Sequence, residues 1–376
     1  MTVFDIQVRR GTTAEWAASD RVLLRGEPAY NTDTGEQKIG NGVDTWKTLP
    51  TWTGQRNGTT DLLRPTNGLP TFVKHASNPV MTHAAQQSVT GLGSVYWPFV
   101  VDTSGLALTG TPPARYLMYY STDHDSGAGG IGLAVSSSPT GPFLPHSKVY
   151  VDTVAGTQTE TPTVIFDERA GLLNMYYQQD GVGTNQSTLL ATSPNGVAWT
   201  RIGVVMDVAG IAGIQGDGHS GYARIFRAGQ QWIAFSLYGG GDYPGFAQWY
   251  SNDGRNWTMD PRILIGGADI TGNINRRVEW NSINLFEFRG NVVALFSTKD
   301  YVSGGNAGVS EDYVAQMHPS LRSVKGIPLQ VLAPRQGFEN VDTGAVDCVM
   351  SSNGKLYAYY RTNGAQGSIS VAVAEA

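Results

Sequence analysis

Apolar and polar positions alternate through Tyr222-Ala-Arg-Ile-Phe-Arg-Ala-Gly-Gln-Gln-Trp-Ile-Ala-Phe-Ser236. The run from Tyr222 to Phe226 meets a turn at Gly229 and returns as Trp232 to Phe235. Period-two alternation about a glycine turn predicts an antiparallel hairpin. Similar hairpins begin near Pro98, Pro162, Ile283 and Val346, roughly 60 residues apart, a spacing that signals a repeat. The second strands end in aromatic or apolar runs: Tyr116 to Tyr120, Leu173 to Tyr177, Trp232 to Phe235, Val292 to Phe296 and Leu356 to Tyr360. Third strands follow at Ile131 to Val135, Thr188 to Thr192, Phe246 to Tyr250 and Ile369 to Val373, with the fourth unit less regular at this point. Five four-stranded antiparallel units predict an all-β five-bladed propeller over residues 72–376. The fifth unit holds only three strands before Ala376, so a strand near Phe72 to His75 or Asn78 to Met81 is expected to complete it.

Residues 1–52 follow a different pattern. They predict a strand from Phe4 to Arg9 and a short helix with Thr12 or Thr13 as N-cap and Glu15 in its first turn. A hairpin of Pro28 to Thr32 and Gln37 to Ile39 follows. A module of this size, rich in glycine, buries little apolar surface alone, so self-association is the natural remedy. Residues 53–71 are polar and rich in Gly and Thr, with turn chemistry at Asn57-Gly58 and Asn67-Gly68, and read as a linker.

Composition narrows the function classes. Charged residues make up 15% of the chain, against about 25% in an average globular protein. Glycines number 47, and Tyr and Trp 17 and 9, which suits short strands, tight turns and aromatic surfaces. The formal net charge of −5 argues against nucleic-acid partners, which need a basic face. Cys348 is the single cysteine, so no intrachain disulfide forms. The start Met1-Thr-Val-Phe-Asp5 shows no secretory signal pattern, and no apolar stretch approaches the ~20 residues of a membrane helix. No membrane insertion is expected.

Two resemblances add to this reading. The series Ile6-Gln-x-Arg-Arg-Gly-Thr12, Gly26-Glu-Pro28, Thr32-Asp-Thr-Gly35 and Ile39-Gly-Asn-Gly-x-x-x-Trp46 resembles the N-terminal module of phage tail fibres and receptor-binding proteins of the tropism-determinant and phage hyaluronidase type. The resemblance implies a place on the virion tail, contact with other tail proteins, and a homotrimer. The turns Ser138-Pro-Thr-Gly-Pro-Phe143, Ser193-Pro-Asn-Gly-Val-Ala-Trp199 and Ser251-Asn-Asp-Gly-Arg-Asn-Trp257 resemble the Asp-box of sialidases, whose role there is structural.

In a propeller the starts of the inner strands and the ends of the second strands share one mouth. The starts bring Tyr96, Trp97, Glu160, Asp217, His219, Glu279, Trp280 and Asp342 to it. The ends bring Asp123, Tyr238 and Asp300. Carboxylates beside aromatic rings suit sugars, whose C–H faces stack and whose hydroxyls donate. For each acid taken singly, a solvated or backbone-bonding role is the plainer reading. Together with Asn78-Pro-Val-Met81 and Thr161-Pro-Thr-Val-Ile-Phe166, the five units also resemble the glycosidase clan of arabinanases, xylosidases and levansucrases. The resemblance implies a base before the first-blade proline, a second acid before the second-blade proline, and a general acid two residues ahead of Tyr222. Here Trp97, Thr161 and Ser220 stand at those places. Hydrolysis would then fall to Glu160, Asp217 and Glu279 in a rearranged site.

The six histidines show no paired metal spacing, and no cofactor is expected. A cation held by Asp217 and His219 at the channel mouth stays open beside a hydrogen-bonded core histidine. The sequence thus points to a tail protein that binds a host cell-surface polysaccharide without cleaving it. A tail-associated depolymerase and a structural tail component are the alternatives.

Overall fold

A computed structural model of the chain describes residues 9–24, 27–34, 37–40, 42–49, 69–123, 129–154, 158–180, 186–207, 220–238, 245–266, 276–300, 311–332, 346–362 and 367–375. The chain divides into two units, Met1–Asn67 and Gly68–Ala376.

In the first unit, β1 (Arg9–Gly11) lies parallel to β2 (Pro28–Asn31), which pairs antiparallel with β3 (Gln37–Ile39). The predicted residues Phe4 to Val8 lie outside the described ones. Helix α1 (Thr13–Ala18) opens on a capping box in which Thr12 and Glu15 satisfy each other's backbone N–H. Each motif of this unit has a physical task. Glu27 accepts from Arg9 Nε at 2.6 Å and from Leu24 N–H at 2.7 Å, and Asp33 accepts from Thr13 N–H at 2.8 Å. A Cβ on Gly40 would stand 2.1 Å from the Leu24 carbonyl oxygen, so only glycine fits there. The core is small: Leu23, Ala29 and Leu49 around Trp16 and Trp46, whose rings stack at 4.4 Å. Lys38 caps that stack, 4.8 Å from the Trp46 ring centre, and donates to the Trp46 carbonyl.

The second unit begins with β4 (Val73–Lys74), β5 (Met81–Thr82) and α2 (His83–Thr90), a helix between Thr82 as N-cap and a left-handed Gly91. Five blades follow. The first is β6 (Tyr96–Asp102), β7 (Tyr116–Thr122), β8 (Gly130–Ser136) and β9 (Leu144–Tyr150). The second is β10 (Gln158–Asp167), β11 (Leu172–Asp180), β12 (Ser187–Ser193) and β13 (Thr200–Met206). The third is β14 (Arg224–Ala228), β15 (Gln231–Tyr238), β16 (Gly245–Ser251) and β17 (Thr258–Gly266). The fourth is β18 (Arg276–Phe288), β19 (Asn291–Asp300), β20 (Glu311–Met317) and β21 (Val324–Leu332). The fifth is β22 (Val346–Ser352), β23 (Lys355–Thr362) and β24 (Ser368–Glu375). Both β4 and β5 pair antiparallel with β24, so the two expected segments share the closing task.

The fourth blade's third strand, expected to be less regular, is a continuous β20 paired on both sides, in unbroken register with β19 and with two register shifts against β21. Its acids masked it in the sequence, since carboxylates are rare in strands. The structure satisfies one of them: buried Asp312 accepts from the Ser297 hydroxyl and from Val346 N–H at 3.2 Å.

Second strands are buried on both faces, as in β7, because each is sandwiched between neighbouring blades. A repeated latch holds those blades together. Tyr119 of the first blade donates its hydroxyl to the Gly196 carbonyl in the second blade's outer turn at 2.9 Å. Tyr176 of the second donates to Gly254 in the third at 2.6 Å, and Tyr359 of the fifth to Pro139 in the first at 2.7 Å. Each tyrosine ring also meets the aromatic of the turn it grips: Trp199, Trp257 and Phe143 respectively, edge-on at 5.7, 5.9 and 6.0 Å. The turns themselves are built by Ser193 and Asn195, and by Ser251 and Asp253, accepting from the backbone N–H groups that follow. Gly196 and Gly254 have φ of 82° and 70°, and a Cβ would stand 2.5 and 2.8 Å from the tyrosine hydroxyls. The Asp-box-like turns are therefore blade couplings.

Tyr176→Phe leaves a buried carbonyl without its donor. It is expected to lower stability by about 1–2 kcal/mol, read as a lower urea midpoint at unchanged slope.

Candidate functional site

The registers bring inner-strand starts and second-strand ends to one mouth: Tyr96 faces Ser121, Gln158 faces Asp180, Arg276 faces Asp300, and Val346 faces Tyr360. At four of the five inner strands the register breaks in a bulge there, at Tyr96/Phe99, Glu160/Thr163, Val278/Ile283 and Val346/Cys348. Trp97 and Thr161 fall in these bulges with φ of 48° and 55°, and Tyr222 takes 55° just before β14. The left-handed region is rare for residues with a side chain and worst for a β-branched one such as Thr161. The same strained backbone thus recurs in three blades at one end of the propeller. Strain of this kind collects at binding and catalytic sites.

These bulges turn their side chains inward. Trp97 is 2% exposed and Tyr222 4%, their rings edge-on at 5.7 Å, with Tyr96 tilted against Trp97 at 5.4 Å. Arg361 from β23 lies 5.3 Å from the Trp97 ring and 5.7 Å from that of Tyr96. Its Nε stands 3.6 Å from a carboxylate oxygen of fully buried Asp347. Tyr96 and Trp97, expected at the mouth, are therefore buried. Thr161 is buried too, and its N–H donates to Ser121 Oγ at 2.8 Å. Ser220 spends its hydroxyl on the Met206 carbonyl at 2.9 Å.

The acids divide into several groups. Glu160 is 2% exposed at the start of β10, beside Gly129. Asp123 leaves β7 with φ of 58°. It accepts from Gly93 N–H at 2.6 Å and pairs with Lys148 at 3.1 Å, which ties the first blade's loops together. Glu279 and Trp280 lie in β18 within the bulge between Val278 and Ile283, while Tyr238 and Asp300 end β15 and β19. The side chains of these four fall outside the described atoms. Asp217, His219 and Asp342 lie outside the described residues.

Other groups at this end of the fold went unread in the sequence. Asp152 accepts from the Tyr177 hydroxyl at 2.6 Å, Arg201 Nε at 2.8 Å and Val154 N–H at 2.9 Å. Burial works to raise its pKa, but these donors outweigh burial and hold the carboxyl below the usual range. Arg224 of β14 crosses to the second blade and donates through Nη1 to the Pro162 carbonyl at 3.1 Å and to Thr163 Oγ1 at 2.6 Å. Thr163 in turn donates to the Ala223 carbonyl at 2.8 Å. Phe99 of the first blade stacks 5.5 Å from the same guanidinium. Within the hairpin Tyr222-Ala-Arg-Ile-Phe, a charge at an inward strand position was the signal that could have found Arg224.

Burial pushes the Cys348 thiol up to about 12, although Val100 N–H and Arg224 favour the thiolate. Since an unfolded thiol titrates near 8.5, this group supports folding fully below that pH and progressively less as pH rises toward its folded value. Cys348 is expected to resist a disulfide thiol reagent at pH 8 in native protein and to react at once in denaturant. Asp152 acts at the other end of the scale: its contribution is present above about 3.9 and is lost as pH falls through its lower folded value. Asp152→Asn should therefore flatten the acid limb of the stability profile.

Comparison with known proteins matches both units. Chains of similar fold include a candidate glycoside hydrolase from Parabacteroides distasonis ATCC 8503, with TM-score 0.61, 16% identity, and 83% of this chain and 99% of that chain covered. A glycosyl hydrolase from Bacteroides ovatus gives 0.59 at 16% identity over 82% and 95%. The Bombyx mori GH32 β-fructofuranosidase BmSUC1 gives 0.52 at 13% identity over 81% and 62%. At such identities the likeness is one of fold. A hyaluronoglucosaminidase of Streptococcus pyogenes phage H4489A is 43% identical over 51 residues, a segment that spans 14% of this chain and 14% of that one. Residues 6–44 match the Major tropism determinant N-terminal domain.

Proposed function

We propose that this protein is a phage tail component that adsorbs to a host cell-surface polysaccharide through the propeller mouth and leaves the polymer intact. The observation that carries the reading is the chemistry at three inner-strand starts. Glycosidases of the resembling clan need carboxylates there, and this chain has Trp97, Thr161 and Ser220, all buried: Trp97 packs against Tyr222, the Thr161 N–H donates to Ser121 Oγ, and Ser220 donates to the Met206 carbonyl. The tropism-determinant match over residues 6–44 supports attachment to the tail and to its other proteins. Trimerisation belongs to the same proposal, since three propellers on one particle bind by avidity even when each site is weak.

A second reading rests on Glu160, a buried carboxylate one residue before the strained Thr161. With Glu279 or Asp217 it would supply the acid and base of a rearranged hydrolase.

Incubating the protein with host cell-wall polysaccharide, while measuring both retention and released reducing sugar, separates the readings. Retention without release is expected, and Glu160→Gln should leave the absence of release unchanged. Release that disappears in Glu160→Gln or Glu279→Gln would establish hydrolysis in its place. Neither retention nor release would point to a structural tail role.

A further inference from the structure

Arg224 of the third blade is 5% exposed, and its guanidinium touches the second blade at Pro162 and Thr163 and the first at Phe99. Only Nη1 is used, and both of its acceptors, the Pro162 carbonyl and Thr163 Oγ1, are neutral. Nε and Nη2 have no hydrogen-bond partner among the described residues. Those two nitrogens form the fork edge of an arginine, from which two parallel N–H bonds converge on one acceptor. Arg115 shows the edge in use in this chain: its Nε and Nη2 grip the two oxygens of Asp102 at 3.0 and 2.9 Å. Arg224 carries the same fork, aimed into the protein interior.

Among the described residues the local charges do not cancel. Two guanidinium groups, Arg224 and Arg361, neighbour a single carboxylate, Asp347, which stands 3.6 Å from Arg361 and acts on Arg224 only as a more distant charge. The other acidic group acting on Arg224 among the described residues is the Cys348 thiol, which burial keeps protonated. Burial presses Arg224 itself toward neutrality, down to about 10, yet it stays a cation at physiological pH. A buried cation with two idle donors is costly unless an anion meets them.

We propose that the Nε/Nη2 edge of Arg224 is a binding site for one small monovalent anion of the halide class, held at the propeller axis. The burial of the residue selects for size: a single ion fits the requirement, and a polymer carboxylate cannot reach it. One negative charge balances two guanidiniums against one carboxylate. The site is independent of the glycan reading, since a buried fork takes no part in holding a polymer at the surface.

The test uses the full chain crystallised in sodium bromide, with diffraction data collected at the bromine edge. An anomalous peak within hydrogen-bonding reach of both Nε and Nη2 is expected. A map with no bromide at that edge, whether water or a side chain takes its place, overturns the proposal. In solution, the unfolding midpoint should be about 2–4 °C higher in sodium chloride than in sodium gluconate at equal ionic strength. Arg224→Lys keeps the charge but loses the fork, and should abolish that difference; a difference that persists in the variant counts against the site. Should the variant fail to fold, the bromide map of the native chain decides alone.

Discussion

Five sheets can surround an axis only if each grips the next, and here a side chain from one blade reaches the outer turn of its neighbour. Tyr119, Tyr176 and Tyr359 each combine an edge-on aromatic contact with a hydroxyl donated to a carbonyl of that turn. In the first two, the turn glycines Gly196 and Gly254 leave room for the phenol, and all three turns carry a glycine in the left-handed region. Much of the propeller follows from this contact. Second strands must be aromatic and buried on both faces, outer turns must carry glycine, and closure must bring β4 and β5 onto β24 so that the last blade can grip the first.

The axis is held by different means. Inner strands converge there too closely for large side chains from every blade, and polar groups bridge them. Thr163 and Arg224 tie the second blade to the third. Asn284 donates to the Val346 carbonyl from the fourth to the fifth. The mouth above this axis carries the strained residues Trp97, Thr161 and Tyr222, an arrangement in which the backbone conformation recurs while the side chains differ. A site can change its chemistry on such a frame without losing the frame, which is why a glycosidase-like fold and a glycan receptor reading are compatible.

The small N-terminal unit achieves order with little core. Its stacked tryptophans stand at the centre of the small core, and the capping box, the Glu27 contacts and the glycine at position 40 fix the loops around them. Among the described residues, each motif that made the segment recognisable contributes a contact of this kind.

Local chemistry decided what the sequence alone could determine. Strand alternation, the turn glycines and the aromatic second strands each act over a few residues, so the five blades, the closing strands and a helix cap at Thr12 or Thr13 were legible in the sequence, and the structure chose Thr12. What needed the tertiary structure was the partner of each buried polar group. Asp312 looked like an interruption until Ser297 and Val346, from other strands, met it. Trp97 and Tyr96 were placed at the mouth by the sequence, and only the structure buries them against Arg361. Arg224 was hidden inside an alternating hairpin, and its partners Pro162, Thr163 and Phe99 lie 60 and more residues away in sequence. Period and turn chemistry are properties of a segment. The worth of a buried charge is a property of what surrounds it, and only the closed ring assembles those surroundings.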